Sequence, residues 1–157
     1  MKQVTYGTYQ APFGLIQLQF QDEILSGLEL KTYEPLSYQF SMAEQKYIHA
    51  LDAYFSGKLE KFTLPLFLDG TTFQKKVWTQ IAQIDYGLTK NYGQLAELTG
   101  SHARAIGQAC GHNPIPIFIP CHRVLGKTGL GGFSLGQDKD MLDIKVFLLQ
   151  LEGVLCL

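Results

Sequence analysis

Prolines at 114, 116 and 120 sit in and around the apolar run Ile115 to Ile119 and forbid the helix that such a run could otherwise form. Each fixes its own φ, removes a backbone donor and pushes the preceding residue toward extended backbone. The segment must therefore be a stiff, dry, irregular connector, and the rest of the chain has to be built around it. It ends on Cys121-His122-Arg123-Val124, followed by a glycine-rich stretch. A free thiol ionises near a pH of about 8.5, so little of it is thiolate at neutral pH unless its surroundings help. His122 and Arg123 are placed to help. Two readings stand side by side: a reactive thiol held by rigid backbone, or a cysteine buried in a tight turn because it packs well.

Upstream of the connector the periodicity changes once. Residues 1–30 alternate as strands do: Tyr6 to Gly14 precedes Leu15-Ile-Gln-Leu-Gln-Phe20, Asp22-Glu23 makes a turn, and a second period-two run covers Ile24 to Leu30. Ser41-Met-Ala-Glu44 has the form of a capping box and predicts a helix to about Phe55, stopped at Gly57. From Thr71 the pattern is helical. Phe73, Val77, Ile81 and Ile84 share a face, with Thr71 or Thr72 as N-cap and Asp85-Tyr-Gly87 as the stop. A short helix is predicted over Tyr92 to Leu98, closed by Gly100, and another, capped by Ser101, runs to about Gly111. Two short helices around a glycine turn have the outline of a helix-turn-helix. Val124 to Phe133 reads as a hairpin or wing. Met141, Ile144, Phe147/Leu148 and Leu151 predict a last helix ending at Glu152-Gly153.

This organisation predicts an α+β fold in two parts. Residues 1–69 form an N-terminal α/β domain with a small antiparallel sheet and a helix. Residues 70–157 form a helical domain of winged helix-turn-helix type. The 157 residues, 46% apolar with a net charge of −1, suit a folded soluble protein and exclude a disordered one. No apolar run reaches the roughly 20 residues that span a bilayer, and the N-terminus lacks the apolar centre of a signal peptide, so no membrane partner is expected. Cysteines at 110, 121 and 156 form no CxxC and leave one unpaired, which favours a reducing, cytoplasmic setting. No Cys/His set has zinc-ligand spacing, and neither metal nor cofactor is expected.

Charge is distributed unevenly. Residues 1–69 carry five Lys against eight Asp/Glu, whereas residues 70–130 carry six Lys/Arg against two, including both arginines, Arg104 and Arg123. That surplus fits a phosphate-facing surface. The predicted second helix of the pair is built of small residues, with Ala103, Ala105, Gly107, Ala109 and Gly111 along it. It could pack tightly on a neighbouring helix, or it could enter a narrow nucleic-acid groove with Arg104 projecting near its N-terminal end.

Together, Pro120-Cys-His-Arg-Val124 after the proline-rich run, Thr72-Phe-Gln-Lys-Lys-Val-Trp78, Asn91-Tyr-Gly-Gln-Leu-Ala96 and Ala103-Arg-Ala-Ile-Gly107 resemble the O6-alkylguanine-DNA alkyltransferases, or methylated-DNA–protein-cysteine methyltransferases. The resemblance covers about residues 71–153, and Pro-Cys-His-Arg-Val is its most specific part. Residues 1–69 match the family's variable, ribonuclease H-like supporting domain more loosely.

The resemblance implies repair of duplex DNA by a single displacement. An alkyl group would pass from guanine O6, and from O4-alkylthymine, to Cys121 in a stoichiometric reaction that consumes the protein. It further implies that His122 takes the thiol proton through a water, that Glu152 orients His122, and that Tyr92 donates to the departing guanine. Asn113 would brace the active loop. The backbone around Cys121 and Val124, with Phe133 and Ser134, would line the base pocket. The nucleotide would be flipped through the minor groove. Arg104 would fill the stack, while Ser101, Ala103, Gly107, Gln108 and Tyr92 would face the DNA. The expected partner is duplex DNA carrying O6-alkylguanine, and the protein is expected to be a monomer. Leu135 stands where the family has a small residue, and the segment before Lys145 is longer than usual. Three rivals remain: a lesion-binding sensor without transfer, a helix-turn-helix regulator, and a Cys-His hydrolase. Cys121 speaks against the first, the poor set of base-reading side chains against the second, and the lack of an evident oxyanion site against the third. Cys110 is a candidate second thiol, with burial in the recognition helix as the plainer reading.

Overall fold

The computed structural model describes residues 3–131 and 139–155. It divides into two units, Met1–Asp69 and Gly70–Leu157. The architecture is α+β, as the sequence periodicities predict.

In the first unit three strands, β1 (Val4–Ala11), β2 (Gly14–Gln21) and β3 (Ile24–Glu29), form an antiparallel meander with β2 in the centre. Ile16, Leu18 and Phe20 alternate along β2 and are fully buried, as a half-buried strand requires. On β3 the buried residues are Leu25 and Leu28, three apart. The register explains this: Gln19 pairs with Gly27 and Phe20 with Leu25, so Ser26 is an extra residue in a β-bulge and returns Leu28 to the core face. Asp22 and Glu23 both take positive φ, 50° and 67°, in the two-residue turn between β2 and β3, which matches the twist of the paired strands. Helix α1 (Met42–Phe55) opens on the predicted capping box of Ser41 and Glu44. Glu44 is buried and does more than cap. Burial opposes its charge, but donations from the Thr5 hydroxyl, the Ser41 amide and the Tyr38 hydroxyl hold its carboxyl below its ordinary pKa. One carboxylate thus ties the helix start to β1 and to the preceding loop. The segment Leu64–Gly70, whose role the sequence leaves open, touches the sheet through a single bridge from Leu66 to Leu25.

In the second unit, helices α2 (Thr72–Ala82), α3 (Tyr92–Thr99) and α4 (Ala103–Gly111) pack pairwise. Thr71 caps α2 with Gln74 as its reciprocal partner. The helix stops at Ala82, short of the predicted Asp85, because a turn from Ile84 N–H to the Ile81 carbonyl takes over. Trp78 is fully buried and donates its indole N–H to the Ala109 carbonyl at 2.8 Å, fastening α2 to the C-terminal end of α4. Asn91 caps α3, and Gly100 closes it in the left-handed region. The cap of α4 is His102, not the expected Ser101: its Nδ1 accepts from the Ala105 amide at 3.3 Å. Arg104 is therefore the second residue of the helix.

Two strands of two residues each, β4 (Lys90–Asn91) and β5 (Val124–Leu125), pair in parallel. The hairpin expected over Val124 to Phe133 is not seen among the described residues, since β5 pairs back to β4. Helix α5 (Lys139–Leu151) completes the unit, with Ile144, Lys145, Leu148 and Leu149 buried. No helix among the described residues is long and apolar enough to cross a membrane.

Candidate active site and nucleic-acid interface

The proline-rich connector is buried from Ile115 to Pro120, as its composition predicts. What the sequence does not reveal is that Ile117 takes φ +75°, a conformation that β-branched residues avoid. The fold holds it there. Asn113 uses its whole amide for this: Oδ1 accepts from the Ile115 amide at 2.9 Å, and Nδ2 donates to the Ile119 carbonyl at 2.9 Å and to Cys121 Sγ at 3.0 Å. The residue that braces the turn therefore also holds the sulfur.

Cys121 opens a single 3-10 turn, Cys121–Arg123, and is 4% exposed. Burial pushes its thiol well above the ordinary value, and the neighbouring Cys110 thiol pushes the same way. The Asn113 donation and the Lys145 charge oppose them. The net effect is a thiol, not a standing thiolate.

His122 and Arg123 both pair with Glu152. His122 is fully buried, with Nε2 2.6 Å from Glu152 Oε2. Arg123 turns inward as well: Nε donates to Glu152 Oε1 at 2.8 Å, one terminal nitrogen to Oε2 at 3.0 Å, and the other to the Ile84 carbonyl at 2.6 Å. It is 6% exposed, so Arg123 does not add to the phosphate-facing surface that the basic surplus of residues 70–130 suggests. Its fork pairs bidentately with a carboxylate that also needs compensation for burial. Glu152 lies just past α5 and receives both side chains, so the end of the chain locks the Cys121 turn.

The partner of Nε2 decides the tautomer. A carboxylate accepts, so Nε2 carries the proton and Nδ1 is left with its lone pair. His122 Nδ1 is buried with no hydrogen-bond partner. Burial lowers the imidazole pKa, with Glu152 opposing, and His122 stays neutral. The site thus holds a protonated thiol and, one residue on, a neutral imidazole with one unused acceptor.

Lys145 is a component that the sequence reading missed. It is fully buried on α5, and Nζ donates to the Val124 carbonyl at 2.7 Å and to the Leu130 carbonyl at 2.6 Å. Burial brings its pKa down to about 8, while its proximity to Cys110 and Cys121 acts in the opposite sense. One signal was available: position 145 lies one turn before the buried Leu149, so its side chain faces the core. Val124, expected at the pocket, is fully buried and offers its carbonyl to this lysine.

Tyr92 reaches the same region by topology. Lys90 pairs with Val124 and Asn91 with Leu125, so Tyr92 emerges beside the strand that follows Cys121–Arg123. Gly131, at φ +71°, packs against it: a Cβ there would lie 3.0 Å from the Tyr92 hydroxyl and 3.2 Å from the Gly126 amide. Only glycine suits both the conformation and the space. Phe133 and Ser134, expected in the pocket, and Leu135 lie outside the described residues.

Helix α4 presents a separate face. Ala103, Arg104 and Gln108 are exposed, Ser101 and Gly107 are half-buried, and Ile106, Ala109 and Cys110 point into the unit. A Cβ on Gly107 would meet nothing within 4 Å. Internal packing therefore does not explain that glycine, and of the two readings of the small-residue helix the open one fits better at this position. The interior end of α4 carries Cys110, buried as expected, and its carbonyl lies 3.8 Å from Cys121 Sγ.

Comparison with known proteins matches residues 4–68 to the family described as 6-O-methylguanine DNA methyltransferase, ribonuclease-like domain, and residues 72–154 to its DNA binding domain. A methylated-DNA–protein-cysteine methyltransferase of Mycolicibacterium paratuberculosis is 41% identical, covering 87% of each chain. One of Methanosarcina barkeri is 42% identical, covering 94% of this chain and 96% of the relative. The crystal structure of Mycobacterium tuberculosis OGT in complex with DNA superposes with a TM-score of 0.81 at 38% identity, covering 94% of this chain and 92% of that one.

Proposed function

On the premise that this chain belongs to the methylated-DNA–protein-cysteine methyltransferase family, we propose that it repairs O6-alkylguanine in duplex DNA by taking the alkyl group onto Cys121. That it is a DNA-binding repair methyltransferase follows from membership. The acceptor, the base-flipping step and the single use of each molecule are the proposal.

The observation that carries it is a buried, unpartnered His122 Nδ1 in the residue that follows the Cys121 thiol. Sulfur attacks the alkyl carbon, the carbon–O6 bond breaks, and the electron pair stays on the guanine oxygen. The thiol proton passes through a water to His122 Nδ1. The imidazolium that results is held by Glu152, which Arg123 has already oriented. Because the resting sulfur is protonated, ionisation is coupled to the transfer. Tyr92 protonates the departing guanine, so that a neutral base leaves. The product is a thioether with no good leaving group, and each molecule reacts once. O4-alkylthymine presents an alkyl group on the same kind of exocyclic oxygen and is a second substrate.

The target oxygen lies within a base pair, so the nucleotide must leave the stack at a cost of a few kcal/mol. The α4 face supports entry from the minor groove: small at Ala103 and open at Gly107, with Arg104 exposed to fill the gap. Ser101 and Gln108 flank that contact. Minor-groove contact reads little sequence, which suits repair at any site. Residues 1–69 serve as a supporting domain, the protein acts as a cytoplasmic monomer on chromosomal DNA, and Phe133 and Ser134 complete the pocket.

The test is intact mass after incubation with duplex DNA carrying O6-methylguanine. One methyl adduct on Cys121 is expected, absent in Cys121→Ala. Retained lesion binding without an adduct would make the protein a sensor, and repeated turnover would overturn the single-use mechanism.

A further inference from the structure

Cys110 has no part in the transfer, yet it is a buried free thiol beside the reacting one. Cys110 sits at the inner end of α4, 8% exposed, and Cys121 opens the 3-10 turn, 4% exposed. The Cys121 sulfur lies 3.8 Å from the Cys110 carbonyl, and the Cys110 thiol is near enough to raise the pKa of the Cys121 thiol. The Lys145 ammonium, held on the Val124 and Leu130 carbonyls, is near enough for its charge to bear on both thiols. Each element is fixed in place, α4 by Trp78 to the Ala109 carbonyl and the turn by Asn113 to Cys121 Sγ, so the Cys121 sulfur is held beside residue 110.

We propose that Cys110 is a resolving thiol, closing a reversible disulfide with Cys121 when the protein meets a peroxide. As its proton leaves, the Cys121 sulfur attacks one peroxide oxygen and the O–O bond breaks, giving a sulfenic acid while the other oxygen departs as water with that proton. The Cys110 sulfur then attacks the Cys121 sulfur, the S–O bond breaks, and the oxygen departs as a second water carrying the Cys110 proton. The balance is two thiols and one hydrogen peroxide to one disulfide and two waters. The inference rests on the proposed function in one respect: an opening that admits an alkylated base to Cys121 also admits a peroxide.

The consequence is protection. A sulfenic acid with no neighbouring thiol proceeds to the sulfinic and sulfonic acids, which thiol reductants do not reverse. With Cys110 adjacent, oxidation stops at a state that a cellular reductant returns to the dithiol. While the disulfide stands, Cys121 cannot accept an alkyl group.

The experiment treats the full chain with hydrogen peroxide, then takes intact mass and maps peptides without reduction. Loss of two hydrogens and a peptide joining Cys110 to Cys121 are expected. Transfer of the alkyl group should be lost on oxidation and restored fully by dithiothreitol. Cys110→Ala should instead gain two or three oxygens on Cys121, with transfer not restored. Stepwise oxygen gain on Cys121 of the wild-type protein, or a disulfide that uses Cys156, would overturn the proposal, and neither readout depends on whether Cys110→Ala folds. The peptide map is independent of transfer, so failure of the disulfide and failure of the alkyl-acceptor reading are told apart.

Discussion

Glu152 shows how much one side chain can organise. It accepts from His122 and twice from Arg123, all buried, and so fixes a tautomer and a turn together. Glu152→Ala would leave the Arg123 guanidinium buried without its carboxylate, and removing one partner of a buried pair costs about 3–5 kcal/mol. Urea unfolding should show a loss of that order, with alkyl transfer abolished; a loss below ~1 kcal/mol would mean that the pair is solvated. His122 supplies a pH prediction. Its folded pKa lies below the ordinary 6.5, so between the two values the unfolded chain binds the extra proton. Stability from this group is present above 6.5 and is lost as pH falls toward the folded value. His122→Gln should remove that part of the acid slope in urea midpoints measured across the window; an unchanged slope would show that the imidazole is not held neutral.

Among the elements, α4 is the one whose two faces separate fold from function. Ile106, Ala109 and Cys110 hold it in the unit, while a side chain at Gly107 would touch nothing. Gly107→Ala should therefore stabilise the protein, by at most about 1 kcal/mol, since alanine favours a helix over glycine. If the helix lies against DNA, the same change should slow repair of duplex substrate while sparing reaction with free O6-methylguanine base. Arg104→Ala should show the same split more strongly without the gain in stability. Equal losses on duplex and free base for both variants would remove α4 from the DNA contact. The β4–β5 pair acts at this scale too, through only two residue pairs. It brings the start of α3 beside the chain leaving Cys121, which explains why Tyr92 needs Gly131 against it. Gly131→Ala should slow transfer on free base as well as duplex, because it disturbs the phenol and not the DNA face. A loss confined to duplex would contradict that placement.

At the scale of the whole molecule, the near-neutral total hides an acidic first unit and a mildly basic second one, and with Arg123 buried in an ion pair the basic surplus available to phosphates is smaller still. Few counterions should then be released on binding, and repair of duplex should weaken only gently with added salt, while reaction with free base stays flat. A steep salt dependence would reveal a larger phosphate surface. Much of the rest was legible in the chain. Period-two and helical spacings located the sheet and helices, the box at Ser41 and the cap at Thr71 or Thr72 marked two helix starts, and Pro-Cys-His-Arg-Val marked the family. Those features are local: backbone sterics, caps and side-chain alternation act over a few residues. What the sequence left undecided depends on residues far apart meeting. His102 caps α4 in place of Ser101 through the geometry of one turn, and Arg123 faces inward because Glu152, at the end of α5, offers it a carboxylate. Lys145 is buried where two carbonyls converge on it, and the Cys121 sulfur comes to lie beside the Cys110 carbonyl, eleven residues back in the chain. The sequence by itself determined the element types, the family and the cysteine proposed as nucleophile. Only the tertiary structure decided the protonation pattern around it, because burial and partner choice are properties of the packed chain.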